Sequence, residues 1–140
     1  MSEESGNPDL VQAARQSLEA LNRRDSDAYM SSSAPDAVWD ASALGFGAFE
    51  GVAAIRSLLA DWFGSYEEYE GRLEENDDLG NGVTFTVALW DGRLRGSVAR
   101  AQERWSYTGL WEASVISRMI VRADIEEARA AAERLAEERG

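Results

Sequence analysis

Apolar residues recur at three- and four-residue spacing in three stretches of the chain, and this spacing predicts amphipathic helices. The first stretch runs through Leu10, Val11, Ala14, Leu18 and Leu21. Asn7-Pro8 offers an N-cap followed by proline at the first helical position, and Arg23-Arg24 puts positive charge at the far end. The second stretch carries Val52, Ile55, Leu58, Leu59, Trp62 and Phe63, with Gly64 as its stop. The third carries Ile125, Ala128, Ala132 and Leu135. Asp124 with Glu127 forms an acidic capping box at its start, and Arg129/Glu133 and Arg134/Glu138 are four-apart pairs. A short helix over residues 26–32, capped by Asp25 and stopped by Pro35, follows the first long one.

Elsewhere the period falls to two. Residues 37–41 predict a short strand with Val38 and Asp40 on one face and Trp39 on the other. A glycine-bearing loop over residues 44–51 follows. Residues 66–79 alternate Tyr69, Gly71 and Leu73 with Glu68, Glu70, Arg72 and Glu74. Gly80-Asn81-Gly82 signals a turn. Residues 83–90 form a strong strand, Asp91-Gly92 reads as a two-residue hairpin turn, and residues 93–107 return antiparallel. Thr108-Gly109 begins a further connection, and residues 113–122 are the last strand. In the hairpin so drawn, Thr84, Thr86, Ala88 and Trp90 share a face that continues to Ala101 and Glu103; Val83, Phe85 and Val87 occupy the other. Both faces carry apolar area, so either can be the inner one. The order of elements predicts one α+β domain over residues 1–140, with a loose tail over 1–6 and helices covering one side of a curved antiparallel sheet.

Charge and composition narrow the functions open to such a domain. Acidic residues outnumber basic ones 26 to 14, a net charge of −12. That field repels nucleic acid and anionic lipid, and it disfavours a mainly anionic substrate. The chain has no cysteine and no histidine. Disulfides, thiolate catalysis, Ser-His-Asp hydrolysis and zinc sites built on thiolate or imidazole are therefore excluded. The acidic start and the lack of an 18-residue apolar run predict a soluble, cytoplasmic protein with no membrane partner.

Four segments together resemble the SnoaL-like and ketosteroid-isomerase-like group of the nuclear transport factor 2 superfamily. They are VQAARQSLEALNRRDSDAY (11–29), SAPDAVWD (33–40), FEGVAAIRSLLADWF (49–63) and SVISRMIVRADIEEARAAAERL (114–135). The resemblance implies a cone-shaped sheet with helices packed on its concave face, an apolar internal cavity, and a homodimer across the outer sheet face. It also implies function classes that range from isomerisation, polyketide cyclisation, epoxide hydrolysis and dehydration to binding without chemistry.

Carried over by motif, Asp40 matches the general base of this group, with Val38, Leu44, Phe46 and Phe49 as an apolar wall that would raise its pKa. The bland alternative is a strand-end Asp bonded to nearby backbone N–H groups. Glu103 is the candidate second acid when the strand is matched backwards from Trp105 and Tyr107, whereas matching forwards from the Gly92 hairpin puts Ala101 there; the alternative for Glu103 is an ion pair to Arg100 or Arg118, or a surface position. The family's tyrosine donor is absent: Ser17 stands at its place, and Tyr29 or Tyr107 would have to serve from another element. Gln102 stands where the hydrolase pattern wants Asp, which weakens hydrolysis. Five tryptophans, Trp39, Trp62, Trp90, Trp105 and Trp111, would favour a flat apolar ligand if they line the cavity. The expectation is thus a cofactor-free, metal-free pocket for a small hydrophobic carbonyl compound, with Asp40 and Glu103 as catalytic candidates. The alternatives are a binding module with the same pocket, or a dimeric structural protein.

Overall fold

The computed structural model describes residues 9–140. The expected tail and the Asn7-Pro8 cap lie outside the described residues. Helix α1 spans Leu10–Asn22 and is capped by Asp9, whose carboxylate accepts the Gln12 N–H. Helix α2, Ser26–Met30, is capped by Asp25 through the Ala28 N–H. It ends before Pro35, because the chain turns at Ser31 and is already extended from Ser33. Strand β1 covers Ser33–Ala41, and a single 3-10 turn, Ser42–Leu44, leads into strand β2, Gly47–Glu50. The loop expected over residues 44–51 is therefore partly an edge strand, paired with β1 through Trp39 and Phe49.

Helix α3, Val52–Ser65, passes through Gly64 instead of stopping there. Strand β3, Tyr66–Gly80, leads through the Gly80-Asn81-Gly82 turn, all three residues at positive φ, into strand β4, Val83–Leu94. Strand β5 is Arg100–Glu112, β6 is Val115–Arg122, and helix α4 is Ile125–Arg139, capped by Asp124 through the Glu127 N–H.

The hairpin expected at Asp91-Gly92 is not there. Strand β4 runs straight through it, Trp90 pairs with Glu103, Arg93 pairs with Arg100, and the chain reverses around Gly96, at φ +81°. Gly92 serves a different purpose. A Cβ on it would meet Tyr66 Cδ1 at 2.9 Å and Tyr69 Cβ at 3.2 Å, so its hydrogen lets two aromatic rings lie on the strand. Thr108-Gly109 likewise continues β5, and the turn comes after Glu112.

The six strands form a curved, unclosed sheet in the order β2-β1-β6-β5-β4-β3. All pairs are antiparallel except β1 with β6, which is parallel. No hairpin joins those two strands, so nothing in their connection forces them to oppose.

The helices settle which face is inner. Leu18 and Leu21 of α1, Tyr29 of α2, and Ile55, Leu59 and Phe63 of α3 pack against Trp39, Ala88, Trp90, Tyr107 and Met119 of the sheet. On the outer face, Ala128, Ala132 and Ala136 of α4 pack on Val83, Phe85 and Val87. Helices therefore lie on both faces, not on the concave face alone, and the apolar face of Val83, Phe85 and Val87 is covered by the chain's own last helix. Small alanine side chains allow that close seat.

Candidate functional site

A cavity of about 390 Å³ opens between the inner face of the sheet and helices α1 and α3. Its floor is formed by Leu21, Trp39, Leu59 and Tyr107, all buried. Its mouth is formed by Leu44, Phe46, Asp61, Ser65, Tyr66 and Leu94. Leu58, Trp62 and Trp105 complete the walls. Phe46 and Leu94 are 58% and 48% exposed, so two of the chain's most exposed large apolar side chains lie at this opening. The volume falls within the usual range for small-molecule sites, which are mostly apolar with a few placed polar groups.

The lining follows from local periodicity. Leu58, Asp61, Trp62 and Ser65 are three and four apart on α3 and so share one face of that helix. Trp105 and Tyr107 are two apart on β5, and both point inward. The Tyr107 hydroxyl accepts the Trp90 indole N–H at 2.8 Å, and the Tyr29 hydroxyl accepts the Trp39 indole N–H at 2.9 Å. Each phenol thus keeps its own proton to donate. Burial pushes the Tyr29 phenol up to about 12, and it raises Tyr107 as well. Both are hydrogen-bond donors at neutral pH, not bases.

Asp40 is not in this cavity. It stands opposite to Trp39 on β1, and since Trp39 faces inward, Asp40 and Val38 face outward. Its carboxylate accepts both the backbone N–H and the hydroxyl of Ser42, and it pairs with Arg118 at 2.8 Å. The Ser42 hydrogen bonds, and then the Arg118 guanidinium, hold the Asp40 carboxyl below its ordinary value. A base tuned toward neutrality would need the opposite shift. Leu44 and Phe46 of the expected wall do line the cavity, but around no carboxylate from β1.

Glu103 stands on the inner face with Trp105, at the open end of β5. It borders a shallow recess of about 20 Å³ shared with Trp62, Tyr66, Tyr69, Trp90 and Trp105. The two candidate acids are therefore on opposite faces of the sheet. Neither Arg100 nor Arg118 is the partner of Glu103: Arg100 binds Glu68 and Asp91, and Arg118 binds Asp40. Ser17, the residue at the family tyrosine's place, is buried against a small chamber of about 30 Å³ behind Leu21 and Tyr107. Its hydroxyl is the one buried side-chain polar atom without a partner among the described residues. Trp111 is buried at that far end, donating to Thr84 Oγ1 at 2.9 Å, and does not cover the mouth. No cluster able to hold a metal ion is present among the described residues.

Asp61 and Tyr66 also line the cavity, beyond the residues that the sequence pattern singles out. Asp61 had a signal: it breaks the apolar stripe of α3 at a position that shares its face with Leu58 and Trp62.

The SnoaL-like domain family matches residues 14–132. The chain belongs to this family. No curated protein matches this SnoaL-like chain in sequence. Solved structures match its fold. A nuclear transport factor 2-like protein of unknown function from Burkholderia pseudomallei is 18% identical, with TM-score 0.71 over 85% of this chain and 93% of its own. A protein with a ketosteroid isomerase-like fold from Catenulispora acidiphila, in complex with trimethylamine, is 13% identical, with TM-score 0.70 over 82% and 85%. RV0760c from Mycobacterium tuberculosis, in complex with estradiol-17beta-hemisuccinate, is 15% identical, with TM-score 0.66 over 81% and 92%. These similarities establish the SnoaL-like fold.

Proposed function

We propose that this SnoaL-like protein binds a small, flat, mainly apolar molecule in the inner cavity, as a binding module without a buried carboxylate pair. The observation that carries this reading is an aromatic-walled cavity of about 390 Å³ in which the only carboxylate among the lining residues, Asp61, sits at the mouth. Trp39 at the floor and Trp105 in the wall supply flat apolar surfaces beside Tyr107. Two proteins of the same fold hold small organic molecules, which is consistent with a ligand here. Isomerase, cyclase or dehydratase chemistry resting on Asp40 has no support from this geometry, because the sheet stands between Asp40 and the cavity.

The test uses N-phenyl-1-naphthylamine, a neutral flat fluorophore of about 17 non-hydrogen atoms. At about 0.3–0.4 kcal/mol per such atom, its Kd falls between roughly ten and a few hundred micromolar. Leu58→Trp fills the cavity from the wall and is expected to weaken binding at least about tenfold. Failure to bind, or equal binding by Leu58→Trp, would overturn the reading.

The proposal includes a cytoplasmic location and a homodimer through the part of the outer face that α4 leaves open. That surface is a lattice of ion pairs, among them Arg100 with Glu68 and Arg104 with Glu74. A dimer through it would be salt-sensitive, which sedimentation at two salt concentrations reads directly.

A further inference from the structure

We infer that the ligand of this cavity carries a cationic amine, seated at the mouth against Trp62, Tyr66 and Trp105 with Asp61 and Glu103 as its counter-charges. The inference rests on the reading of the cavity as a ligand site and names the class of molecule it takes.

Trp62, Tyr66 and Trp105 line both the main cavity, which includes Asp61, and the recess beside it, which includes Glu103. The three aromatic residues thus border both spaces, one with Asp61 and the other with Glu103. The Trp62 ring centroid lies 6.5 Å from that of Trp105 and 6.2 Å from that of Tyr66, the latter edge-on. Ring faces attract a cation that comes within about 6 Å of their centroids, most strongly where water is excluded.

No arginine compensates the carboxylates at this place. On the outer face four acids are held by arginines, Asp40 by Arg118, Glu68 by Arg100, Glu74 by Arg104 and Glu75 by Arg129, while others such as Glu70 and Asp77 form no ion pair among the described residues. Asp61 and Glu103 form no ion pair among the described residues. All 14 basic residues are arginines, and none lines the cavity or the recess. Glu103 and Tyr66 border the same recess, and the Tyr66 phenol is raised first by burial and then by the charge of Glu103.

The aromatic cluster already holds one cation. The Arg24 guanidinium lies 4.7 Å from the Tyr69 ring centroid, and Trp62 also stacks on that ring at 4.9 Å. Arg24 donates to the carbonyls of Phe63 and Tyr66, so it does not neutralise either carboxylate. With Tyr69 thus engaged, the ring surfaces left for a ligand are those of Trp62, Tyr66 and Trp105. The net charge of −12 adds a field that concentrates cations at the opening.

The test compares phenyltrimethylammonium with tert-butylbenzene, which differ in charge and hardly in shape. Binding is read by tryptophan fluorescence at low salt. Phenyltrimethylammonium is expected to bind at least about fivefold more tightly, a preference of the size that cation–π contact gives. In the double variant Asp61→Asn, Glu103→Gln the ratio of the two affinities should fall at least about twofold, the remainder being the contact with the rings. Equal affinities, or a ratio unchanged in the double variant, would overturn the inference and leave the cavity reading standing. Failure of both probes to bind would overturn both.

Discussion

Replacing Asp40 with asparagine separates a catalytic carboxylate from a structural one. The amide in the Asp40→Asn variant would keep an oxygen to accept the Ser42 N–H, but it loses the charge shared with Ser42 and Arg118. A hydrogen bond to a charged group contributes about 1.5–3 kcal/mol net, whereas an exposed ion pair contributes about 0.2–1. The Asp40 and Arg118 side chains are 19% and 40% exposed, so the pair belongs nearer the second range. The sum lost is about 1 kcal/mol at pH 7, a fall in Tm of roughly 3–4 °C for a chain of this size. The sign with pH follows from the downward shift of the Asp40 carboxyl. A carboxylate with a depressed folded-state pKa adds stability that is fully present above its unfolded value, about 3.9, and lost as pH falls through the folded value. Thermal melts of both proteins from pH 7 down to 3 should therefore converge at the acid end. Ligand affinity in the cavity should stay within about twofold. A tenfold loss of binding, or of any turnover, with an unchanged melt would refute the placement of Asp40 outside the site.

Other substitutions test other parts of the structure. Tyr107→Phe removes the acceptor of the buried Trp90 indole N–H and is expected to cost about 1–3 kcal/mol in chemical denaturation, since that donor would stay buried and unpaired; no loss would mean that another acceptor reaches it. Gly71→Ala should destabilise by about 1–3 kcal/mol or more, because its Cβ would fall 2.5 Å from Trp90 Cζ3 while the facing ring has little room to move. A melt unchanged from the parent protein would show that Trp90 does not pack on the β3 backbone.

The element types were legible because each rests on local spacing. The stripe Ile55, Leu59, Phe63 predicts α3 and supplies its buried face. Alternation on β1 correctly set Trp39 against Val38 and Asp40. What local spacing lacked was the identity of the inner face, since Val83, Phe85 and Val87 are as apolar as anything opposite them. The contact that decides it is between α4 and β4, elements some forty residues apart, and no short-range pattern encodes it. Once that contact is known, Asp40 leaves the site and Trp105 enters it. The register of β5 failed for a related reason. Asp91-Gly92 has turn chemistry, but Gly92 is there because Tyr66 and Tyr69 need the space a side chain would fill. Family resemblance located the fold well, but it placed the carboxylate base on a strand position whose parity here points outward.

A ligand that enters the inner cavity is reported by the five tryptophan indoles separately. The measurement is a ¹H–¹⁵N spectrum of the indole N–H signals during titration with N-phenyl-1-naphthylamine. Trp39, Trp62 and Trp105 line the cavity, while Trp111 is buried at the other end with its N–H held by Thr84. Saturable shifts are expected at Trp39, Trp62 and Trp105 with Trp111 unmoved. Shifts centred on Trp111, or none at the three cavity indoles, would contradict entry of the ligand into the inner cavity.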